Sequence, residues 1–420
     1  WPSGRARLMV EQAVVLCGGL GERLRPFTDS LPKAMVDVAG RPFLEILIEQ
    51  LAEQGVERFV LCTGYRGESI RDHFGDGSLL GAEITYSEGP TSWSTARRLH
   101  EAESMLDETF LLMYSDNFAA IDLVGMFGRH IESGAKATLT IVRKSVGNVS
   151  VSGHGIVYSR RRSDASTHVE VGYMLVERDP TFDTLDGLAG SPNVELADVL
   201  VALSDSDSLD AVEAFGGYQS ISDPERLERT REFMSPKRIL LVDRDGTINE
   251  KSRPGEYVTR WEDFSFIEEA VDAMAQLAEE GFEFAVITNQ AGIARAMVDS
   301  DELERIHQGM VSTRDERGIA VRGVYVSPHH WDEEAFDRKP NPGLFYRASQ
   351  ELGFRLDRVV YVGDDIRDCR AAASAGCGMV YITSEGEDGQ MPVSRMPQWT
   401  VRTFCEAMPV IREFYEGFER

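Results

Sequence analysis

The most constraining feature of this sequence is a short apolar run that ends in two closely spaced aspartates. Residues 239–242 read Ile-Leu-Leu-Val, and Asp243-Arg-Asp245-Gly-Thr follows directly. A short apolar run that ends in Asp and Gly is typical of a buried parallel strand. Open α/β sheets carry their chemistry at the carboxyl ends of such strands. Because two carboxylates this close repel each other, the pattern predicts a bound divalent cation.

A strand that ends in an Asx turn would give the same local pattern, so the residues that follow must decide between the two interpretations. Two later apolar runs end in Thr288 and Asp364, and Lys339 lies in a loop between them. The order of an aspartate pair, a threonine, a lysine and Gly-Asp-Asp within one domain favours a catalytic site.

Each residue type in this set has a physical task. The carboxylate of Asp243 can accept a phosphoryl group, and Asp245 can protonate the leaving oxygen and then activate water. Thr288 and Lys339 would neutralise the phosphoryl oxygens in the transition state. Asp364 would complete a magnesium site with Asp243 and the backbone carbonyl of Asp245.

This segment resembles the haloacid dehalogenase superfamily of phosphatases. More narrowly, it is similar to the D-glycero-D-manno-heptose 1,7-bisphosphate 7-phosphatases, whose subgroup also includes histidinol-phosphate phosphatases. The motifs that carry the resemblance are residues 243–249, 255–258, 288–295 and 338–343. The resemblance implies that Asn289 helps to bind the transferred phosphate. It also implies that Arg295 and Arg338 bind the distal phosphate of the substrate.

The subgroup usually carries a zinc loop, with Cys-x-His followed by Cys-x-Cys, just before Arg-Lys-Pro. Here residues 327–330 read Ser-Pro-His-His, and residues 335–337 read Ala-Phe-Asp. Three of the four ligands are missing, so we expect no structural zinc. Asp365 also stands where the subgroup often has lysine, which would alter contacts with the substrate.

A second candidate site lies near the start of the chain. Residues 12–17 predict a strand that leads into a glycine-rich turn, and a Pro-Lys-x-Met motif follows. Glycines let backbone N–H groups approach a phosphate chain closely, and nearby cations add fixed charge. A purely structural glycine turn is the alternative. The residues of this candidate site are Gly18, Gly19, Gly21, Arg23 and Lys33.

The combined motif resembles the sugar-1-phosphate nucleotidylyltransferases over about residues 10–233. The resemblance implies that these five residues bind a nucleoside triphosphate, and that Arg23 and Lys33 assist attack at the α-phosphorus. It implies a nucleotide contact for Thr95 and a magnesium ligand in Asp116, which follows a predicted strand. Sugar contacts are implied for three further residues: Asn117, Glu170 and Gly172.

This domain departs from the family pattern at two places. Ser94 replaces a glycine beside an unexpected Trp93, in the stretch that usually lines the base and sugar. Ser220 stands where the second metal-binding aspartate is expected. Magnesium held by Asp116, nucleotide phosphates and water remains feasible, because Mg²⁺ often keeps several waters.

Length and strand–helix alternation set the expected architecture. The 420 residues exceed one ordinary core, and 42% of them are hydrophobic. We expect an α/β protein of two domains, at residues 10–233 and 234–420, each with a mostly parallel sheet flanked by helices. The first would have a Rossmann-like nucleotidyltransferase fold and the second a haloacid dehalogenase-like Rossmannoid fold.

Charge and cysteine content limit the partners. A net charge of −26 argues against nucleic acid and anionic membranes, and no apolar run reaches membrane-spanning length. Five scattered cysteines with no Cys-x-x-Cys pair suit a reducing cytoplasm. The expected partners are small molecules, namely nucleoside triphosphates and sugar phosphates, and the sequence does not determine the oligomeric state.

The two resemblances predict consecutive chemistry on one sugar, with Mg²⁺ at both sites. A 7-phosphatase would produce heptose 1-phosphate, and a nucleotidylyltransferase would activate it, giving a GDP-heptose if GTP is the nucleotide. Residues 12–35 do not distinguish GTP from ATP, CTP or dTTP. Two alternatives remain: the same fusion acting on a hexose or modified sugar, and an active phosphatase with a nucleotide- or sugar-sensing amino-terminal domain.

Overall fold

The computed structural model describes residues 10–152, 155–188, 194–253, 255–383 and 397–419. The chain divides into two compact units between Met234 and Ser235. Each unit packs helices against a central sheet, so the α/β fold class predicted from the sequence is confirmed. In the described parts of the chain, every helix falls short of the length and apolar character that crossing a bilayer requires.

The first unit is built on a large mixed sheet. The strands of the large sheet are β1 (Gln12–Leu16), β4 (Arg58–Thr63), β5 (Glu83–Glu88), β6 (Thr109–Tyr114), β8 (Ala137–Arg143), β9 (Gly147–Ser152), β10 (Gly155–Ser163), β11 (His168–Glu177) and β12 (Leu209–Glu213). Two small two-stranded sheets pair β2 (Asp37–Val38) with β3 (Arg41–Pro42), and β7 (Asn117–Ala119) with β13 (Tyr218–Ser220). Its helices are α1 (Phe43–Glu53), α2 (Gly67–Phe74), α3 (Thr95–Glu101), α4 (Leu123–Ser133), α5 (Arg178–Leu188), α6 (Leu196–Asp205) and α7 (Pro224–Met234).

Parallel and antiparallel pairs divide this sheet into two halves. Strands β5, β4, β1 and β6 pair in parallel, in that order. Strand β11 then pairs antiparallel with β6 and β8, and β9 pairs antiparallel with β10. The expected mostly parallel sheet therefore holds for the half that carries the glycine-rich turn. The other half is mixed, because short connections between successive strands favour antiparallel neighbours.

The second unit has a fully parallel sheet in the order β16-β15-β14-β17-β18-β19. The strands are β14 (Ile239–Val242), β15 (Glu283–Asn289), β16 (Val321–Ser327), β17 (Val360–Gly363), β18 (Gly378–Ile382) and β19 (Trp399–Val401). The helices are α8 (Glu268–Glu279), α9 (Ser300–Asp315), α10 (Gly343–Leu352), α11 (Ile366–Ala375) and α12 (Phe404–Glu419).

Strand β14 lies near the centre of this sheet and is buried along its whole length. Its neighbours in the sheet are β15 and β17, and apolar clusters cover both faces. Burial on both faces explains why β14 reads as a continuous apolar run. The parallel arrangement also brings the carboxyl ends of β14, β15 and β17 to one edge, where Asp243, Thr288 and Asp364 are placed.

Helices α8 and α3 differ in length and illustrate how sequence spacing relates to burial. The apolar positions of α8, which include Ala270, Met274 and Leu277, are buried as their helical spacing predicts. Helix α3 is short and ends at Glu101, and a single 3-10 turn covers Glu103–Met105.

Candidate active sites

The predicted phosphatase residues meet around the ammonium group of Lys339. Its Nζ lies 2.8 Å from Oδ1 of Asp243 and 2.7 Å from Oδ1 of Asp368. It also donates to the Ile287 carbonyl at 3.0 Å and to the Tyr361 hydroxyl at 2.7 Å. Both Lys339 and Asp368 are almost fully buried. The lysine is therefore held in one position beside the carboxylate that would be the nucleophile.

Asp368 and Tyr361 were not assigned roles from the sequence. Asp368 accepts from the backbone N–H of Asp365 at 3.0 Å and from the Tyr361 hydroxyl at 3.1 Å. Its position in Gly-Asp-Asp-x-x-Asp, one turn into α11, is the signal that could have identified it. For Tyr361, which lies within a strand, the sequence offers no comparable signal. Together they complete a polar cage around Lys339.

The carboxylate of Asp245 is clamped by three side chains. Arg244 Nη2 and Asn249 Nδ2 donate to Oδ1 at 2.8 and 3.0 Å, and Gln290 Nε2 donates to Oδ2 at 2.7 Å. Burial alone would raise the pKa of Asp245, but Arg244 and these hydrogen bonds hold it below its ordinary value. The clamp fixes the orientation of the group that would act as acid and base.

Arg244 is itself buried and positioned by a histidine. Its Nη1 donates to Nε2 of His307 at 3.1 Å, which requires that nitrogen to be unprotonated. Burial, with the nearby Arg244 charge, lowers the pKa of His307 to about 4. The imidazole is therefore neutral near pH 7 and acts only as an acceptor. Neither residue was singled out from the sequence.

The carboxylates of Asp243, Asp364 and Asp368 approach one another closely enough to hold a metal ion. Oδ2 of Asp364 accepts from Lys251 at 2.6 Å, whereas its buried Oδ1 has no hydrogen-bond partner. A Cβ on Gly246 would overlap the Asp364 carboxylate. Burial raises the pKa of both Asp243 and Asp364, because charged carboxylates are costly in this environment. These oxygen donors fit Mg²⁺, which would remove that cost.

Thr288 and Asn289 lie beside these groups with different contacts. The buried Thr288 accepts from Gln290 at 2.8 Å through its hydroxyl oxygen. The Asn289 amide donates to the Lys339 carbonyl at 2.9 Å and accepts from the Lys339 N–H at 3.1 Å. Asn289, which is predicted to bind phosphate, also fixes the backbone of Lys339 through its side chain.

A cavity of about 340 Å³ next to Asp245 is lined by several cations. Arg295 and Arg338, predicted to bind a distal phosphate, both contribute to it. Arg295 lies between the rings of Tyr257 and Trp331, at 5.7 and 5.6 Å from their centroids. Other basic residues at the same cavity, not assigned from the sequence, are Arg244, Lys251, Arg253 and Arg367. The cavity can therefore accept a second anionic group near the phosphatase centre.

The segment that corresponds to the zinc loop is held by contacts of His329 and Arg338. His329 contacts Glu333 at 2.7 Å and Asp337 at 3.4 Å through its two ring nitrogens. Arg338 donates to the His329 carbonyl at 2.9 Å. These side-chain and backbone contacts hold the loop in a defined conformation.

The first unit contains a cavity of about 650 Å³ at the carboxyl ends of β1 and β6. The predicted residues that line it are Gly18, Gly19, Gly21, Arg23, Lys33, Thr95 and Asp116. Gly21 has a φ of 65°, a left-handed conformation that favours glycine. Arg23 is exposed at the rim. The glycine-rich turn, both predicted cations and the predicted metal ligand therefore share one cavity.

Lys33 and Asp116 form a direct ion pair in this cavity. Ser220, which replaces the expected second aspartate, is buried, and its hydroxyl lies 3.1 Å from that of Ser222. Within the described residues of this unit, no group of three metal-binding side chains comes together. The protein therefore offers a single predicted carboxylate ligand here, and the remaining ligands of a magnesium ion would be phosphate oxygens and water.

Thr95 is engaged by an acidic residue that sequence reasoning missed. Its hydroxyl donates to Oε2 of Glu195 at 2.6 Å, and its backbone N–H donates to the same oxygen at 3.1 Å. Glu195 also lines the cavity and caps the start of α6. Thr95, the first residue of α3, thus connects α3 to the start of α6 at this wall of the cavity.

The three predicted sugar residues are neighbours. The Glu170 carboxylate accepts from the N–H of Gly172, whose φ is 87°. A Cβ at Gly172 would crowd Asn117, whose Oδ1 accepts from the Tyr218 hydroxyl at 3.1 Å. Burial is the main cause that raises the pKa of Glu170 to about 7. None of the three lines the 650 Å³ cavity, although Asn117 follows Asp116 directly.

Comparison with known families agrees with this division into two sites. Residues 12–170 match the family model described as nucleotidyl transferase. Residues 195–376 match the model described as haloacid dehalogenase-like hydrolase. The two matched segments contain the glycine-rich turn and the aspartate pair, respectively.

The chain is also similar to individual proteins. A D-glycero-beta-D-manno-heptose-1,7-bisphosphate 7-phosphatase of Yersinia pestis is 30% identical over 184 residues, which are 42% of this chain and 96% of the relative. The crystal structure of a D,D-heptose 1.7-bisphosphate phosphatase from B. bronchiseptica, complexed with magnesium and phosphate, is 26% identical and covers 42% of this chain and 98% of its own, with a TM-score of 0.38. HddC from Yersinia pseudotuberculosis is 20% identical and covers 53% and 99%, with a TM-score of 0.43.

Proposed function

We propose that this chain carries out two consecutive reactions on one sugar. The chain belongs to the haloacid dehalogenase-like hydrolases, and its relatives include heptose-1,7-bisphosphate 7-phosphatases. A nucleotidyl transferase domain precedes the hydrolase part of the chain. The second unit removes the 7-phosphate of a heptose 1,7-bisphosphate. The first unit then transfers a nucleotidyl group from GTP to heptose 1-phosphate and releases pyrophosphate. The product is a GDP-heptose.

The observation that carries the phosphatase assignment is the position of Lys339 against Asp243 and Asp368. In the proposed mechanism, the carboxylate of Asp243 attacks phosphorus, and the acid form of Asp245 gives its proton to the departing sugar oxygen. The partners of Asp245 favour its carboxylate form in the free protein, so this step requires that Asp245 takes up a proton before the sugar oxygen leaves. Water activated by Asp245 then hydrolyses the acyl phosphate. Lys339 and Thr288 stabilise the negative charge on the phosphoryl oxygens in both steps.

Magnesium is the cofactor that we propose for this centre. Asp243, Asp364 and the backbone carbonyl of Asp245 would hold it, and the buried Oδ1 of Asp364 is free to serve as a ligand. When bound, Mg²⁺ supplies positive charge beside the transferred phosphoryl group and offsets the repulsion between the aspartates. The cationic cavity with Arg295 and Arg338 would bind the phosphate that is not transferred.

Nucleotidyl transfer is supported by the shared cavity of the first unit. The glycine-rich turn presents backbone N–H groups to the triphosphate, and Arg23 and Lys33 neutralise charge that develops at the α-phosphorus. Asp116 is the proposed magnesium ligand, and its contact with Lys33 places both groups at one spot. Thr95 contacts the nucleotide, while Asn117, Glu170 and Gly172 hold the sugar. The unpaired cysteines suit our proposal of a cytoplasmic reaction.

The decisive experiment is a screen of GTP, ATP, CTP, UTP and dTTP against several sugar 1-phosphates, with pyrophosphate release as the readout. Phosphate release from heptose 1,7-bisphosphate is measured in parallel on the same preparation. We expect the highest pyrophosphate release with GTP and heptose 1-phosphate. A preference for another nucleotide or a hexose 1-phosphate would keep the two-step scheme and refute the named substrates.

Ser220 favours a second candidate function for the first unit. A buried serine at the position of the expected metal aspartate would suit a module that binds nucleotide or sugar and regulates the phosphatase. The screen separates the two candidates. If no nucleoside triphosphate yields pyrophosphate while phosphate release persists, the sensing function replaces nucleotidyl transfer.

A further inference from the structure

A buried arginine that neither the sequence motifs nor the proposed chemistry uses lies beneath the glycine-rich turn. Arg98, on α3, is only 4% exposed and contributes to the wall of the 650 Å³ cavity. Its guanidinium fills the space next to Gly18 and Gly64, where a Cβ at either position would overlap it. The two glycines are therefore required for this arginine to enter.

The partners of Arg98 are carbonyl oxygens. Its guanidinium donates to Thr63 at 2.6 Å, to Pro90 at 2.8 Å and to Gly18 at 3.2 Å. Among the described residues, no carboxylate forms an ion pair with it. The titratable groups that act on its charge are the thiols of Cys17 and Cys62, and burial raises the pKa of both, so both are neutral. The charge of Arg98 is consequently not cancelled locally, whereas Lys33 is paired with Asp116.

The contact with Gly18 also orients the turn. The carbonyl of Gly18 accepts from Arg98 and from the backbone N–H of Tyr65 at 3.2 Å. In a trans peptide, the C=O of one residue and the N–H of the next point in opposite directions. Holding the Gly18 carbonyl against Arg98 therefore turns the N–H of Gly19 the other way, as a donor for an anion.

We propose that Arg98 is the fixed cation of the polyphosphate subsite and the positioning residue for the Gly19 N–H donor. This inference rests on the proposed nucleotidyl transfer for its biological ligand, the triphosphate of the nucleotide. A cation that is buried without a carboxylate partner attracts polyanions more strongly than an exposed one, because water screens it less. Arg98 thereby selects for the polyphosphate rather than for the base or the sugar.

The test measures binding of inorganic tripolyphosphate with Mg²⁺ to the full chain by titration calorimetry. The variants are Arg98→Gln, Arg98→Lys and, as a matched control, Arg97→Gln at the adjacent position, which is exposed and pairs with Glu101. We expect Arg98→Gln to weaken binding about tenfold or more, since a charged donor is lost. Arg98→Lys keeps the charge and should retain most of the affinity, and Arg97→Gln should match the wild type.

Assayed with nucleoside triphosphate, Arg98→Gln should show a raised KM for the nucleotide and an unchanged KM for the sugar 1-phosphate, whereas Arg97→Gln should show neither change. Equal weakening by Arg98→Gln and Arg98→Lys, or wild-type affinity in Arg98→Gln, would overturn the assignment. If Arg98→Gln does not fold, the Arg98→Lys titration alone decides, because loss of affinity in a folded, charge-preserving variant contradicts a fixed-cation role.

Failure of the proposed function gives a different result. Tripolyphosphate binding that depends on Arg98, without any pyrophosphate release from nucleotides, would refute nucleotidyl transfer and leave the polyphosphate subsite in place. Absence of tripolyphosphate binding in the wild type would refute the subsite, whatever the turnover assay shows.

Discussion

The ammonium of Lys339 lies 2.8 Å from the carboxylate of Asp243, although the two residues are 96 positions apart in the sequence. The pair is buried, so the opposite charges interact in an environment where water screens them little. A second carboxylate, Asp368, shares the same ammonium at 2.7 Å. Lys339 thus fixes the position of Asp243 and opposes the burial that raises its pKa, as a nucleophile toward phosphorus requires.

Replacement of the proposed nucleophile should separate the two activities. Asp243→Asn removes the carboxylate that would form the acyl phosphate, so we expect phosphate release to fall about 10³-fold or more. Pyrophosphate release should stay at the wild-type level, because the other candidate site lies in a separate unit. Both products are measured on one preparation. A joint loss would contradict the two-site scheme, and retained phosphate release would exclude Asp243 as the nucleophile.

Lys33→Ala should have the opposite effect. Lys33 is the proposed cation at the α-phosphorus, and removing a donor that stabilises developing charge costs about 10²-fold in rate. We expect pyrophosphate release to fall by that factor while phosphate release is unchanged. Lys144→Ala, at another lysine of the first unit, is a suitable control. Nucleotidyl transfer at the wild-type rate in Lys33→Ala would refute the role assigned to this residue.

Tyr361→Phe tests the cage around Lys339. The change removes only a hydroxyl that accepts from Lys339 and donates to Asp368 or to the Ile287 carbonyl. A buried hydrogen bond contributes about 1 kcal/mol, so we expect the phosphatase kcat to fall roughly fivefold with little change in KM. Tyr325→Phe is the matched control, because Tyr325 is equally buried in the same unit and lies against Arg347. Equal kcat losses in both variants would indicate a general stability effect.

Glu170 should make the stability of the first unit depend on pH. Burial raises its pKa from the ordinary 4.5 to about 7, so the folded state binds more protons than the unfolded state between these values. Its destabilising effect therefore grows as pH rises from about 4.5 and levels off above pH 7. Glu170→Gln should raise the melting temperature relative to wild type more at pH 8 than at pH 5. The corresponding gain in the free energy of unfolding should be at most about 3 kcal/mol.

Calorimetric scans at pH 5 and pH 8 measure this difference. The exposed Glu108 provides the control, since Glu108→Gln changes the same charge without removing a buried carboxyl. A Glu170→Gln effect that is the same at both pH values would show that the carboxyl is not protonated in the folded protein.

Many features of the fold could be predicted from local patterns. The apolar runs at β1, β14 and β17 are continuous because each strand is buried on both faces, and burial on both faces leaves no alternation in the sequence. The mixed half of the first sheet was not predicted. The direction of a strand depends on how β8 to β11 are connected and paired, and the sequence of a single strand does not specify which strand it pairs with.

The candidate sites also contain residues that short motifs predict and residues that only the tertiary structure reveals. Short motifs identified Asp243, Asp245 and Lys339, since the chemistry restricts which residue types can serve at those positions. His307, Tyr361 and Arg98 escaped notice, because each is an ordinary residue in a helix or strand that becomes relevant only through a partner far along the chain.

By itself, the sequence determined that two α/β domains follow each other and that one carries a glycine-rich turn and the other an aspartate pair at a strand end. These conclusions rest on backbone and side-chain requirements confined to a few consecutive residues. Only the tertiary structure decided which charges are compensated: Lys33 by Asp116, Lys339 by Asp243 and Asp368, and Arg98 by carbonyl oxygens alone. Compensation depends on distance and burial, and these arise when separate strands are brought to one edge of a sheet.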